Sequence, residues 1–367
     1  MALSKIDLAN MVENQMPQSL IADNINFRNI IINGDMSIAQ RSTSVSSITS
    51  SSTYKTIDRF VTELGSNGTW TQSQSTDVPT GQGFGKSLKM DCTSTGSGGY
   101  LHITQRFEGQ NLVYLNKGRS TAESLTLSFW VKSAKTGTYI AEFRDTDNTR
   151  NISKSYTISS ADTWEKKTIT YPGDTSGGLS NDNGASLELN LWLAAGSSNT
   201  SGTLQTDWGS QVSANRAVGQ VNLGDSTSND WYITGLQLEA GTSASDFEFL
   251  PADVNKNRCL RYYQLLATGD SQVLFNGFYY TASELRTVVQ TLVPMRANPT
   301  LDQTTGTDYY RFVRNGTSDK FNSLTVDVTN PLAVELYNSS DMSGNVGEAG
   351  WIRTDQSSSY LAFSSEL

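Results

Sequence analysis

Few side chains in this sequence of 367 residues are suited to nucleophilic or acid–base chemistry. The only histidine, His102, lies in Tyr100-Leu-His-Ile-Thr, where it alternates with Leu101 and Ile103. No G-x-S-x-G elbow, Walker loop or C-x-x-C motif accompanies it. A Ser-His-Asp triad would have to use His102 without any sequence cue beside it. We therefore interpret His102 as a structural or surface residue on the face of a strand opposite to Leu101 and Ile103.

Carboxylate pairs are the other possible source of chemistry, because the hydrolysis of glycosidic bonds uses two of them. Asp145 and Asp147 lie in Arg144-Asp-Thr-Asp-Asn-Thr-Arg150, which is typical of a hairpin tip, and Asp and Asn occupy such turns without a catalytic role. We therefore predict no catalytic residues and no enzymatic activity. The carboxylates considered are Asp145 with Asp147, Glu188, Asp225 and Glu239.

The same turn, or Asn181-Asp-Asn-Gly184, could offer oxygen atoms to Ca²⁺. Neither stretch matches the pattern of the EF-hand calcium loop. The sequence therefore predicts no cofactor and no metal site, with Ca²⁺ at one of these two turns as the open alternative.

Two tryptophans are the candidate binding residues. Trp130 and Trp192 lie in predicted strands in which Leu, Phe and Val occupy every second position. Both tryptophans occupy the alternate positions, on the face that carries the polar residues. An aromatic ring on the solvent side of a sheet can stack on the apolar face of a sugar ring, so these residues predict a glycan-binding surface. The alternative is that this second face is itself covered, by a loop or by a neighbouring subunit.

The elements that must position these residues are predicted to be strands. Apolar residues alternate with polar ones over Leu125–Val131, Leu187–Leu193 and Tyr232–Leu238, and a period of two indicates a strand with one face in a core. Short strands separated by Gly, Ser and Asp turns are typical of antiparallel sandwiches. The predicted fold class is all-β: an antiparallel jelly-roll-type sandwich followed by a second, smaller β-domain, with a short N-terminal helix or arm.

Composition excludes several classes of partner. Charged residues make up only 17% of the chain, and 27 basic residues against 36 acidic ones give a net charge of -9. Because no run of Lys or Arg could follow a phosphate backbone or an anionic membrane surface, we expect no nucleic-acid binding. No apolar stretch approaches membrane-spanning length, so we expect no membrane insertion. The start of the chain lacks the apolar core of a secretory signal. Cys92 and Cys259 are expected to be unpaired thiols, as in a protein assembled in a reducing cytoplasm.

Three segments are predicted along the chain. Residues 1–26 form an N-terminal attachment or oligomerisation segment, with a short amphipathic helix over residues 4–15. Residues 27–253 form the β-sandwich. Residues 254–367 form the C-terminal β-domain, beginning with a strand at Cys259–Leu266. Within the sandwich we expect a β-type segment at residues 27–41 and a Ser/Thr-rich surface loop at residues 42–53.

Two groups of motifs resemble a module of phage tail-fibre proteins. The opening of that family, N-x-x-x-N-G followed by Q-R and then D-R-F and a Trp, is similar to Asn29–Arg41, Ile57-Asp-Arg-Phe60 and Trp70. Its closing pattern is similar to Gly235–Gly241 and to Cys259-Leu-Arg-Tyr-Tyr263, with Phe247 and Pro251 between them. Met295-Arg-Ala-Asn-Pro299 resembles its M-R-x-x-P segment, and Tyr360–Leu367 resembles the last strands of marine and cyanobacterial phage fibres.

The resemblance implies a carbohydrate-binding-like β-sandwich on a homotrimeric virion fibre. We accordingly expect a virion structural protein, a tail fibre or fibre tip. It would be assembled in the host cytoplasm, exposed on the particle and held to other virion proteins through residues 1–26. It would mediate adhesion by binding a glycan or receptor of the host surface. The alternatives are a purely structural connector, head fibre or decoration protein, and a tailspike that depolymerises glycan.

Overall fold

A computed structural model describes residues 27–367. The predicted helix at residues 4–15 and the attachment segment 1–26 lie outside the described residues. The described chain divides into two compact units. The first contains residues 27–37 and Ser44–Leu250, and the second contains Ile38–Thr43 and Pro251–Leu367.

The first unit is built from a six-stranded and a seven-stranded sheet, and every strand pair in both is antiparallel. The six-stranded sheet has the order β1-β4-β5-β13-β7-β10 and the seven-stranded sheet the order β12-β9-β8-β11-β6-β3-β2. The strands are β1 (Ser44–Ile48), β2 (Ser51–Tyr54), β3 (Val61–Gly65), β4 (Thr69–Ser75), β5 (Ser87–Ser94), β6 (Tyr100–Glu108), β7 (Leu125–Ser133), β8 (Gly137–Asp145), β9 (Arg150–Ile158), β10 (Glu165–Tyr171), β11 (Ala185–Ala195), β12 (Gly209–Ser210) and β13 (Asp230–Ala240).

The side chains on the apolar faces of the central strands form the core between the two sheets. Phe129 of β7 meets Tyr156 of β9 edge to face, with ring centroids 5.1 Å apart. Phe143 of β8 meets Tyr171 of β10 in the same way at 4.7 Å, and the Tyr171 hydroxyl donates to the Ala141 carbonyl at 3.1 Å. Edge-to-face aromatic pairs add to the burial of apolar area. The predicted all-β class and antiparallel sandwich are confirmed.

Two local predictions near the start of this unit are wrong. The Ser/Thr-rich residues 42–53 are not a loop, because most of them form β1 and β2, which lie at the edges of their sheets. An edge strand pairs along only one of its two backbone edges, and most side chains of β1 and β2 are exposed or half-buried, so hydroxyl side chains are tolerated there. Residues 27–43 contain no strand. Their backbone is bonded partly by side chains, such as the Asn29 amide oxygen that accepts from Ile31 N and Leu238 N, both at 3.0 Å.

The second unit has a three-stranded sheet of order β14-β23-β17 and a seven-stranded sheet of order β19-β18-β22-β15-β16-β21-β20. Its core contains residues of both sheets, among them Tyr310, Phe312, Leu361 and Phe363. The strands are β14 (Tyr263–Thr268), β15 (Val273–Thr281), β16 (Glu284–Gln290), β17 (Thr300–Gln303), β18 (Tyr310–Arg314), β19 (Thr317–Phe321), β20 (Thr325–Asn330), β21 (Ala333–Asn338), β22 (Ala349–Thr354) and β23 (Tyr360–Ser364).

The strand predicted at Cys259–Leu266 begins later than expected. Cys259 and Leu260 close a helix, Ala252–Leu260, and β14 begins at Tyr263. Pro251 at the N-cap and Asp253 in the first turn favour a helix at this point. Cys92 and Cys259 are both buried, and no disulfide joins them. Within residues 27–367 no helix is long and apolar enough to span a membrane.

Candidate functional site

The outer face of the seven-stranded sheet of the first unit carries a polar cleft of about 270 Å³. Strand β6 provides its central row, because Leu101 and Ile103 point into the core and the residues between them point outward. Strand β11 lies beside it in antiparallel register, with Asn190 opposite Thr104 and Trp192 opposite His102. Part of this face is covered by residues 196–222, which include a short helix, α1 (Ser197–Thr200).

Arginines and glutamates in the cleft pair with one another. The Arg106 guanidinium bonds Glu63 through Nη2 at 2.8 Å and Glu188 through Nε at 3.0 Å. The second carboxylate oxygen of Glu188 accepts from Arg144 Nη1 at 2.8 Å. Burial raises the pKa of Glu63, although the Ser52 hydroxyl and the Arg106 charge oppose it. The pairs hold these side chains across β3, β6, β11 and β8.

A single buried carboxylate, that of Glu142 on β8, organises the covered end of the cleft. Arg216 binds it with both Nε and Nη2 at 2.8 Å, a bidentate geometry of high specificity. The side-chain amides of Asn151 and Asn190 donate to it at 3.1 and 3.2 Å, and Trp192 Nε1 donates at 3.0 Å. Glu142 therefore connects β8, β9, β11 and the covering segment.

His102 lies between these two groups of charges. Its Nδ1 is 2.9 Å from the Thr104 hydroxyl, which in turn donates to the Asn190 amide oxygen at 2.7 Å. The ring is only 7% exposed. Burial, followed by the positive charges of Arg216, Arg144 and Arg106, lowers the pKa of His102 well below its ordinary value of 6.5. The prediction that His102 faces away from Leu101 and Ile103 is correct, but it lines the cleft.

The aromatic ring open to solvent in this cleft is that of Tyr100, which is 38% exposed. It stacks on His102 with ring centroids 5.7 Å apart. The ring also lies close to Gly65 of β3, where a Cβ atom would come within 2.7 Å of Tyr100 Cε1. The glycine thus leaves room for the ring to lie across the neighbouring strand.

The structure brings one of the two predicted tryptophans to the cleft. Trp192 lies at its floor but is only 1% exposed, since residues 196–222 cover it and the Arg216 guanidinium lies 4.9 Å from its ring centroid. The alternative that a loop covers this face therefore holds for Trp192. Trp130 is half-buried on β7 of the other sheet, between Lys166 and Thr234. The two residues do not share a site, and glycan binding by either stays a prediction.

Among the carboxylates considered from the sequence, only Glu188 faces the cleft. Asp147 accepts from the Ser180 backbone, Asp225 pairs with Lys135 and Glu239 pairs with Arg28. Asp145 lies at the predicted hairpin tip, since β8 and β9 pair up to Asp145 and Arg150.

Asp145 belongs to a cage of oxygen atoms around the Lys117 ammonium. Lys117 Nζ contacts the Asp145 carboxylate, lies 3.0 Å from Asp174 Oδ2 and donates to the Gly177 carbonyl at 2.8 Å. Burial would raise the pKa of Asp174, but hydrogen bonds from Arg150 and Lys117 outweigh it and lower that pKa. Over the described residues no group of three His, Cys, Asp or Glu side chains is arranged to hold a metal.

Sequence reasoning missed most of the cleft. Glu63, Arg106, Arg144 and Arg216 come from three strands and a long connecting segment, so no local spacing brings them together. The available signal was the polar parity of β6, where His102, Thr104 and Arg106 follow one another at a period of two.

No known family model matches the sequence, and neither does any curated protein sequence. The structure is similar to the enzymatically active domain of tailspike protein 4 of bacteriophage CBA120, with a TM-score of 0.32 and 15% identity over 58% of this chain and 21% of that one. It is also similar to a CBM4 structure, with a TM-score of 0.30 and 11% identity over 57% of this chain and 97% of that one. A third similar structure is a family 11 carbohydrate-binding module from Clostridium thermocellum in complex with a mixed-linked β-1,3-1,4 tetrasaccharide, with a TM-score of 0.25 and 13% identity over 50% of this chain and 89% of that one.

Two of these structures are carbohydrate-binding modules and the third is a phage tailspike domain. This chain spans only 21% of the tailspike domain's chain. At such low TM-scores and identities they assign no function to this chain. The chemistry of the cleft has to carry any proposal.

Proposed function

We propose that the protein binds a neutral glycan in the polar cleft of its first unit. The observation that carries the proposal is the combination of an exposed ring, Tyr100, with a row of fixed hydrogen-bonding groups beside it. An aromatic ring can cover the apolar face of a sugar, while charged and amide groups bond its hydroxyls.

The charge balance of the cleft favours a neutral ligand. Three guanidinium groups, those of Arg106, Arg144 and Arg216, face three carboxylates, those of Glu63, Glu142 and Glu188. Each guanidinium already bonds a carboxylate, so an acidic sugar would have to compete for it. A sugar hydroxyl can instead donate to a carboxylate oxygen or accept from a guanidinium at the rim without breaking the pairs.

A calorimetric titration tests the proposal. The ligands are neutral oligosaccharides of glucose, xylose and galactose, with one oligosaccharide that carries uronic acids. We expect a neutral one to bind, and Tyr100→Ala to weaken it at least about tenfold, the loss of one stacking contact. Tyr280→Ala is the matched control, because Tyr280 is an exposed tyrosine of the second unit. Equal affinity of wild type and Tyr100→Ala would refute the cleft, and preference for the acidic ligand would refute a neutral one.

We further propose that binding serves adhesion of a phage to its host. Support comes from the tail-fibre motifs at Asn29–Arg41 and Gly235–Gly241 and from the low charge of the chain. The protein would be a homotrimer displayed on the virion, attached to other virion proteins through residues 1–26 and gaining avidity from its three clefts. Light scattering should give the mass of three chains, and the purified protein should compete with phage for cells. A monomer that does not compete would contradict this. A connector, head fibre or decoration protein would assemble without binding any glycan.

Glycan hydrolysis is a second candidate because of one observation. Glu63, whose pKa is raised by burial, and Glu188, held by two arginines, face the same cleft and share the Arg106 guanidinium. Two carboxyl groups that face one cleft are the pair that glycosidases use. We favour binding without turnover, because Arg106 bonds both carboxylates. New reducing ends from a polysaccharide, lost in Glu63→Gln, would favour hydrolysis.

A further inference from the structure

We propose that His102 is a specificity-determining residue of the cleft, with Nε2 accepting a hydrogen bond from one hydroxyl group of the bound sugar. This inference rests on the proposed glycan binding. It assigns a role to the one histidine of the chain, whose sequence context indicates only a structural or surface residue.

The direction of the hydrogen bonds around His102 fixes its tautomer. The Glu142 carboxylate can only accept, so the Asn190 group that faces it at 3.2 Å is the NH₂ and the other group is the carbonyl oxygen. That oxygen must receive the hydroxyl proton of Thr104, at 2.7 Å. The Thr104 oxygen is then the acceptor for His102, so Nδ1 carries the proton. A neutral ring protonated at Nδ1 has a lone pair on Nε2.

The Nε2 atom is available to a ligand. No group within residues 27–367 forms a hydrogen bond with Nε2. The atom is also not among the fully buried polar atoms without a partner, so it keeps some exposure to solvent. The ring lines the cleft between Tyr100 and Trp192, at centroid distances of 5.7 and 4.6 Å. Both rings restrict its rotation, so Nε2 keeps a fixed position at the floor.

The charges around the ring keep it in the acceptor form. The guanidinium groups of Arg106 on β6, Arg144 on β8 and Arg216 on the covering segment oppose a second proton. The carboxylates of Glu63 and Glu188 line the same cleft and that of Glu142 is buried, and each of the three bonds an arginine. A protonated ring would also lose the acceptor that a hydroxyl group needs.

An acceptor of this kind selects among sugars. A ligand with a hydroxyl group at the position facing Nε2 gains a hydrogen bond to a largely buried acceptor, whereas the deoxy or O-methyl analogue leaves Nε2 without a donor. We expect the analogue to bind about tenfold more weakly, the usual effect of one lost hydrogen bond.

Nitrogen-15 NMR of the untagged full chain tests the inference, because ¹⁵N-histidine labels a single residue. At neutral pH the spectrum should show one neutral ring with its proton on Nδ1. The probe is the tightest neutral oligosaccharide of the calorimetric panel. Its addition should shift the Nε2 resonance upfield, as for a nitrogen that accepts a hydrogen bond, and leave Nδ1 in place.

Thr104→Val removes the acceptor of Nδ1–H while keeping the shape of the side chain. We expect a mixture of the two tautomers and, for an even mixture, a loss of affinity of about twofold. Thr126→Val is the matched control, because Thr126 is an equally buried threonine on β7 of the other sheet. It should change neither the tautomer of His102 nor the affinity for the oligosaccharide. If Thr104→Val does not fold, the wild-type spectrum still decides the tautomer.

The outcomes separate the two proposals. A charged ring, or a ring with its proton on Nε2, overturns the role of His102. So does an Nε2 resonance that stays unchanged while calorimetry shows the oligosaccharide bound, and in that case glycan binding survives. If the panel contains no ligand at all, glycan binding fails and the role of His102 fails with it.

Discussion

The side chain on which the cleft depends most is Glu142. Its carboxylate receives five N–H donors from Arg216, Asn151, Asn190 and Trp192. Removing one partner of a buried charged pair leaves the other uncompensated, which is costly. Because the same carboxylate orients Asn190 and through it Thr104, it also sets the hydrogen-bond direction at His102.

The two tryptophans singled out from the sequence should differ in their effect on stability. Trp192→Ala removes a fully buried indole and one donor to Glu142, so we expect the free energy of unfolding to fall by about 3–5 kcal/mol. Trp130→Ala removes a half-buried ring and should cost about 1–2 kcal/mol. Urea denaturation of each variant measures this. Equal losses of unfolding free energy in the two variants would contradict the difference in burial between the two side chains. So would a larger loss for Trp130→Ala than for Trp192→Ala.

The buried, neutral His102 should make the protein less stable in mild acid. The unfolded chain binds a proton at His102 below about pH 6.5, whereas the folded chain, whose pKa is lower, does not. The contribution of His102 to stability is therefore fully present above pH 6.5 and is lost as the pH drops toward the folded pKa, by about 1.4 kcal/mol per pH unit.

His102→Gln isolates this effect, because the variant has no histidine left to titrate. Chemical denaturation of both proteins between pH 7 and pH 5 should show that the free energy of unfolding of wild type falls relative to that of the variant as the pH falls. Parallel curves would show that His102 titrates alike in the folded and unfolded chains.

At the scale of elements, periodicity predicted the strands that have one apolar face. Strands β7, β11 and β13 contain the alternating stretches, since their second face is polar and the pattern is visible. Strands β1 and β2 were missed because edge strands with hydroxyl side chains have no apolar parity. The cover formed by residues 196–222 has no periodic pattern, so the burial of Trp192 could not be predicted.

The turns beside β8 and β9 supply a test of the calcium alternative. Lys117 is buried with Asp145 and Asp174, so Lys117→Ala should lower the free energy of unfolding by about 3 kcal/mol. Lys320→Ala, which removes an exposed lysine, is the control and should cost less than about 1 kcal/mol.

The carboxylate and carbonyl oxygens left by Lys117→Ala are ligands that Ca²⁺ accepts. We therefore expect millimolar Ca²⁺ to raise the melting temperature of this variant and leave wild type unchanged, measured by thermal denaturation. Stabilisation of wild type by Ca²⁺, with none for the variant, would show that Lys117 does not stand in for a cation.

For the whole molecule, the sequence supported the fold class better than the site. Alternation and turn residues are local, so an all-β antiparallel chain could be predicted. The cleft is assembled from residues that lie up to 153 positions apart, Glu63 and Arg216, and only the strand order brings them together. The second unit has exposed rings of its own, Phe278, Tyr280 and Trp351, on its seven-stranded sheet.

A crystal structure of the full chain with the tightest oligosaccharide of the panel would show where the glycan binds. The cleft of the first unit should contain the sugar, with one ring against Tyr100 and one hydroxyl group within hydrogen-bond distance of His102 Nε2. A sugar bound at Trp351 and Phe278 of the second unit, with the cleft holding only water, would refute glycan binding by the first unit.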